Sequence, residues 1–251
     1  MNAFAVAGAV FASSLGGALL GMRLGRTLPE HHLDAASKDV VRLCMGLIAT
    51  LSALILGLVT ASAKESFDAQ GSAARNVATE VVTLDRTLAA FGPESDPVRG
   101  EIRDLMRARV EATAGGGATP AEAVLGRGAG GEAVLRHILD LKPADDAQRW
   151  VQSQALGLAS DVLRTRWASL TQSTTPVPAP FIAVIGFWLT ALFWSFGLFA
   201  PRNGMVIAVL ALAAASVSAC VFLILEMQTP FSGVLHVSLD PLRYALEQLG
   251  K

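Results

Sequence analysis

Four stretches of this chain, residues 3–22, 43–63, 177–200 and 203–225, contain no lysine, arginine, aspartate or glutamate. They hold 88 residues, and all 20 basic and 21 acidic residues fall in the remainder. The hydrocarbon core of a bilayer is about 30 Å thick and needs roughly 20 apolar helical residues to cross it. Each stretch meets that length. A spanning helix must also satisfy its own backbone polar groups, and proline is absent from the interiors of all four. Pro178 and Pro180 stand at the start of the third stretch, where a missing amide hydrogen costs nothing. Pro201 closes it, and Arg202-Asn203-Gly204 forms a tight polar turn, so the third and fourth spans are expected as an antiparallel hairpin.

Composition agrees with this division. Charged residues make up 16% of the chain, against about 25% in an ordinary soluble domain. Because the deficit is confined to four segments, a uniformly apolar globule and a disordered chain are both excluded. The two cysteines, Cys44 and Cys220, lie within spans, so neither a disulfide framework nor a zinc pattern is available. They read as buried, unreactive thiols. No lysine or arginine precedes Arg23, so the first span lacks the basic opening of a cleaved signal and reads as an anchor.

The expected fold class is an all-α membrane protein: four transmembrane helices, with a helical extramembrane domain inserted between the second and third. The boundaries are 1–63 for the first pair with its short basic loop 23–42, and 64–176 for the helical domain. Residues 177–226 form the second hairpin and 227–251 a C-terminal tail. The expected location is the cell inner membrane, crossed several times. Arg23, Arg26, Lys38, Arg42 and Arg202 lie on one side, against Arg243 and Lys251 in the short segments of the other. Counted over short loops, basic excess marks the cytoplasmic face, which makes the middle domain extracytoplasmic. Lys64, Arg75, Arg164 and Arg166 flank the long segment and, if counted, reverse that result.

Residues 64–176 carry 13 basic and 15 acidic residues, which is no basic footprint for nucleic acid. Ala74, Val77, Val81, Leu84, Leu88 and Phe91 alternate spacings of 3 and 4, the period of a helix packed along a seam. A stripe of small residues, Gly46, Thr50, Ala53, Gly57 and Thr60, has the same alternation upstream and runs into it in phase. With no proline over 43–91, the second span is expected to continue as one helix, ended by Gly92 as cap and Pro93 as stop. A second helix is expected with Asp96 as N-cap and Pro97 at its first position, with Val98, Ile102, Leu105, Met106 and Val110 on its apolar face. Residues 114–131 read as a glycine- and alanine-rich linker. Helices over about 132–141 and 144–172 follow, then a proline hinge over 174–180. These helices are expected to bundle on the long one or to pair with a neighbouring subunit.

Motifs of catalysis are scarce. Gly126-Arg127-Gly128-Ala129-Gly130-Gly131 fits G-x-G-x-x-G, but no strand precedes it. Glu30-His31-His32 with Asp34 has metal-ligating residue types, yet adjacent histidines do not share a helical face. The expectation is no enzyme, no cofactor and no metal. Ionisable residues are absent from mid-membrane depth, which removes the usual pointer to coupled transport. What remains as a candidate site is the stripe Gly46, Thr50, Ala53, Gly57 and Thr60, either a helix-packing face or a pore lining. Gly17 and Gly21 on the first span, and Ala211, Ala215 and Ala219 on the fourth, offer similar small faces. Seven of the 16 aromatic residues crowd the third span, which suits a lipid-facing or hairpin-packing helix.

Three blocks carry a family resemblance. Leu24-Gly25-Arg26-Thr27-Leu28-Pro29 leads into Gly46-Leu47-Ile48-Ala49-Thr50-Leu51 and on to Ala63-Lys64-Glu65-Ser66-Phe67-Asp68. Leu84-Asp85-Arg86-Thr87-Leu88 with Phe91-Gly92-Pro93-Glu94 is the second, and Pro230-Phe231-Ser232-Gly233 with Val237-Ser238 and Pro241-Leu242 the third. In these the chain resembles the bestrophin-like family of bacterial membrane proteins, a domain of unknown function. The resemblance implies four spans and a helical domain, and it assigns no catalytic or binding residue. True bestrophins are pentameric anion channels with four spans per subunit, and that analogy implies a cytosolic middle segment, opposite to the charge count. Two functions therefore stay open: an oligomeric bestrophin-like ion channel, or a non-catalytic scaffold or sensor whose helical domain binds a protein partner. The partners implied are the lipid bilayer and further copies of the chain, with no nucleic acid.

Overall fold

A computed structural model describes residues 2–27, 35–114, 130–172, 179–229, 231 and 233–250. The Glu30-His31-His32-Asp34 cluster, the glycine-rich run as far as Ala129, hinge residues 174–178 and the side chain of Leu170 lie outside the described residues. Helices account for all regular structure among the described residues: α1 (Ala3–Leu24), α2 (Ala35–Phe91), α3 (Asp96–Ala114), α4 (Gly130–Asp140), α5 (Asp146–Gln172), α6 (Ala179–Phe199), α7 (Gly204–Met227) and α8 (Asp240–Gln248). Four of them, α1, α2, α6 and α7, are long and apolar enough to cross a membrane. The protein is an all-α membrane fold. Two compact units are present, one formed by Met1–Lys64 with Pro176–Gln228 and the other by Glu65–Thr175 with Thr229–Lys251.

In the first unit α1 is the helix against which both α6 and α7 pack. Gly17 and Gly21 of α1 and its C-cap Gly25 recur every fourth residue and meet Thr190, Trp194 and Leu198, also four apart, on α6. Matching increments mean the two helices run parallel. A methyl group at Gly17 would sit 3.0 Å from the Thr190 carbonyl oxygen, and one at Gly21 would run into the carbonyl of Trp194. From the opposite side, a methyl at Gly197 would strike the Ala18 carbonyl. Backbone thus touches backbone, the close approach that small residues permit where no hydrophobic driving force separates helix from lipid. On α7, Ser218 Oγ donates to the Ala7 carbonyl at 2.6 Å and Arg202 donates to the Met22 carbonyl. Numbers fall on α7 as they rise on α1, so these two are antiparallel. It follows that α6 and α7 are antiparallel to each other, as the hairpin predicts, although their closest backbone packing is with α1.

The small face of α7 differs from expectation. Ala214 and Ser218 are the buried positions, while Ala215 and Ala219 are exposed and Ala211 is half-buried. Small residues occur on more than one side of this helix, and only one side meets α1. The aromatic residues of α6 behave as expected for a helix facing lipid: Phe181, Phe187, Trp194 and Phe196 are exposed, and Phe193 turns into the core with Ala18, Met22, Leu210 and Ala214. Cys44 is exposed on the chain surface, a correction to its reading as buried, and Cys220 is half-buried.

The second unit is built on the later turns of α2. Ala74, Val77, Val81, Leu84, Leu88 and Phe91 are all buried, so the whole predicted seam is core. Helix α2 starts eight residues before the predicted 43 and ends at Phe91, where Gly92 takes φ 118°. Only glycine adopts that conformation without strain. Two side chains satisfy the last carbonyls of α2: Ser95 Oγ donates to Leu88 O at 2.6 Å, and Gln148 Nε2 to Phe91 O at 2.8 Å. Val98, Ile102, Met106 and Val110 of α3 add their face, and Val134, Ile138, Ala155 and Ala159 of α4 and α5 complete it. Asp96 is already helical at φ −57°, ψ −37°, after a short 3-10 turn over Pro93–Ser95, so it is not the N-cap. Its carboxylate instead accepts from Arg99 at 3.4 Å.

The segment expected as a C-terminal tail contains α8. Leu242, Ala245 and Leu249 are buried in the same core as α2 and α3. The start signals were present in the sequence: Ser238 Oγ accepts from the Asp240 amide at 3.1 Å, and Pro241 occupies the first turn.

Candidate functional site

The stripe singled out by the sequence lies on α2, and α2 is the least covered of the four spanning helices. In its most apolar window 6% of residues are buried within the chain, against 22–28% in the other three. Burial falls on one face only. Ser52 is buried, Ile55 and Leu56 pack on the cluster of Val10, Ile185, Leu189, Val221 and Leu225, and Ala63 is buried two turns later. Thr60 closes this contact, its hydroxyl 3.9 Å from Cys220 Sγ.

The other face is open. Gly46, Thr50, Ala53 and Gly57 are exposed, and Thr60 sits half-buried at the edge. A methyl group built at Gly46 or Gly57 would meet nothing within 4 Å. Leu43, Leu47, Leu54 and Leu58 flank the stripe, each more than 60% exposed. Gly17 and Gly21 of α1 are taken up by packing on α6, whereas a methyl at Gly46 or Gly57 of α2 meets nothing among the described residues. The five stripe residues share one helix, but nothing from α1, α6 or α7 covers Gly46 or Gly57.

The chemistry of the open face is mild. Thr50 Oγ1 donates to Gly46 O at 2.9 Å and Thr60 Oγ1 to Leu56 O at 2.7 Å. Hydroxyls bonded back to the preceding turn keep their oxygen lone pairs for another donor or a cation, and cost little when they face lipid. Ser14 and Ser52, both at most 2% exposed, have hydroxyls with no hydrogen-bond partner among the described residues. Among the described residues, no group of three or more His, Cys, Asp or Glu side chains could hold a metal ion.

Sequence reasoning overlooked one polar constellation, in the second unit. Asp85, 1% exposed, accepts from Arg99 Nε at 2.9 Å and from Nη2 at 3.1 Å. Its Oδ2 also accepts the Gly250 amide at 3.1 Å, and Arg103 Nη2 donates to Leu249 O at 2.9 Å. The hydrogen bond with Asp85 holds the Arg99 guanidinium above its ordinary pKa, against the opposing pull of burial. An acidic residue between Leu84 and Leu88, inside an apolar stripe, was the available signal. At the exposed edge, His137 Nδ1 lies 2.6 Å from Glu101 Oε2.

Comparison with known proteins bears on the whole chain. The family described as Bestrophin-like domain matches residues 12–242. Neither curated proteins nor solved structures provide a significant match. That span runs from within α1 into α8 and takes in both units, and on it rests the conclusion that the chain belongs to the bestrophin-like family.

Proposed function

We propose that the chain is one subunit of an oligomeric membrane channel, with the Gly46–Thr60 face of α2 turned toward a shared axis. One observation carries this: α2 leaves a stripe of small residues uncovered, whereas Gly17 and Gly21 of α1 and Gly197 of α6 are taken up in close packing. A helix presenting only glycine, alanine and threonine at successive turns leaves room for water beside it, and its threonine oxygens can face a permeating ion. Family membership is compatible with a channel. The test is flux through liposomes holding the purified protein, combined with mass measurement of the detergent-solubilised particle. Expected are an oligomer, ion conductance, and its loss in Gly57→Trp with the oligomer intact. A monomer, or an oligomer without flux, would reject the channel.

A second reading is supported by the unbroken helix Ala35–Phe91, which contributes to both units. An unbroken helix of this kind suits a non-catalytic scaffold or sensor whose helical domain binds a protein partner. Cross-linking in cells that recovers a partner but reconstitution without flux would favour it. For location we propose the cell inner membrane with the middle domain extracytoplasmic, from the basic residues Arg23, Arg26, Lys38, Arg42 and Arg202. Asp146 is 92% exposed. An Asp146→Cys variant lacking the two native cysteines should react with an impermeant thiol reagent in intact cells; protection would reverse the orientation.

A further inference from the structure

In the first unit, α2 packs on the α1, α6 and α7 cluster through Ile55 and Leu56, and nearer its N-terminal end a cleft of about 500 Å³ lies between it, α6 and α7. Met45, Gly46, Ala49, Phe196, Val206 and Val209 line it, with the largely exposed Arg42 at its mouth. A cleft of this size lies in the range that ordinarily encloses a small ligand. Within a bilayer its apolar wall has no use for water, and an acyl chain is the filler at hand. The guanidinium at the mouth adds a requirement of its own. Among the described residues Arg42 pairs only with the exposed Asp39, at 3.5 Å, a solvent-screened contact that a stronger anion displaces.

The same combination occurs a second time at the same end of the unit. Between α1 and α6 a cleft of about 460 Å³ is lined by Leu20, Leu24 and Trp194, and Arg23 stands at its rim. Arg202, reaching the Met22 carbonyl, marks this end as the site of the α6–α7 turn as well. Basic positions between spanning helices on one membrane face hold lipid head groups, and arginine engages a phosphodiester through two parallel hydrogen bonds.

We propose that the α2–α6–α7 cleft binds one anionic glycerophospholipid, its acyl chain along Met45, Ala49 and Val209 and its phosphate on Arg42. Net negative charge is the discriminating feature. Phosphatidylcholine offers the same tail and phosphate, but its choline brings a cation to the guanidinium. The site rests on the membrane fold, and it shares Gly46 with the stripe assigned above to the pore.

Native mass spectrometry of the purified protein with added dioleoylphosphatidylglycerol or dioleoylphosphatidylcholine tests it. The glycerol lipid is expected to bind at least about tenfold more tightly, with Arg42→Gln removing that preference and Arg42→Lys keeping part of it. Ala49→Trp, which fills the cleft, is expected to abolish binding, and Arg107→Gln in the other unit to leave it unchanged. Should Ala49→Trp fail to fold, the Gln and Lys variants at Arg42, with helicity preserved by circular dichroism, decide the matter. Equal binding of the two lipids, or a preference that survives Arg42→Gln, overturns the proposal. So does disulfide cross-linking of Ala49→Cys between two copies, because a neighbouring subunit then occupies the cleft. Binding retained in the flux-dead Gly57→Trp separates this site from the channel reading.

Discussion

Asp85 of α2 holds Arg99 of α3 in a two-point ion pair, Nε to Oδ1 at 2.9 Å and Nη2 to Oδ2 at 3.1 Å, with the carboxylate 1% and the guanidinium 15% exposed. The remaining capacity of Oδ2 takes the Gly250 amide. One buried carboxylate therefore joins α2, α3 and the end of α8. Removing one partner of a buried pair strands the other charge, at a cost of about 3–5 kcal/mol. Asp85→Ala is expected to lower stability by an amount in that range, read by chemical unfolding in detergent. The double variant Asp85→Leu with Arg99→Met should recover most of the loss, since no charge is then left buried. A single variant as stable as the wild type would contradict this account.

The two sets of membrane glycines should respond oppositely to the same substitution. Gly197→Ala places a methyl against the Ala18 carbonyl, and backbone cannot yield as a flexible side chain would. Overpacking of this kind costs about 1–3 kcal/mol. Gly57→Ala meets nothing within the chain, so its effect on subunit stability should stay within about 0.5 kcal/mol. Thermal unfolding of both variants checks the contrast. Equal destabilisation would mean that the Gly57 face is already packed in the purified particle.

How legible this molecule was depends on what each signal is periodic against. Charge exclusion reports the bilayer directly, so all four spans were readable. The seam from Ala74 to Phe91 was readable because a buried helix repeats at 3 and 4, and Gly92 because its φ of 118° demands glycine. Partner choice was not. Ala211, Ala215 and Ala219 form as regular a stripe as Ala214 and Ser218, and only packing on α1 selects the latter. The same limit applies to Gly46, Thr50, Ala53, Gly57 and Thr60: the pattern announces a special face but not what packs on it.

Helix α8 escaped the sequence reading because nine residues hold too few turns for a period to stand out. Its burial nevertheless makes it structural. Leu242 is 0% exposed within the core shared with Leu88 and Ile102. Leu242→Ala should cost about 2–5 kcal/mol, the range for emptying a leucine site in a packed core. Tyr244 on the same helix is 66% exposed, and Tyr244→Ala should cost far less, within about 0.5 kcal/mol. Unfolding curves of the pair distinguish a core helix from a loosely attached tail, for which both substitutions would be silent.

Glu80 supplies the pH dependence. Burial pushes its carboxyl above the ordinary value of 4.5, and the nearby Asp161 pushes the same way, while the Thr165 hydroxyl, 3.4 Å from Oε1, opposes them. The folded state then binds a proton more tightly than the unfolded chain. As pH rises through the interval above 4.5, the folded state must give up that proton against burial, and stability falls. Glu80→Gln keeps the shape and the acceptor for Thr165 but cannot ionise. It is expected to be more stable than the wild type at neutral pH, with the difference closing as pH drops below 4.5. Melting temperatures of both proteins from pH 4 to 8 test this. A gap that does not change with pH would show that the carboxyl ionises as easily in the folded chain as in the unfolded one.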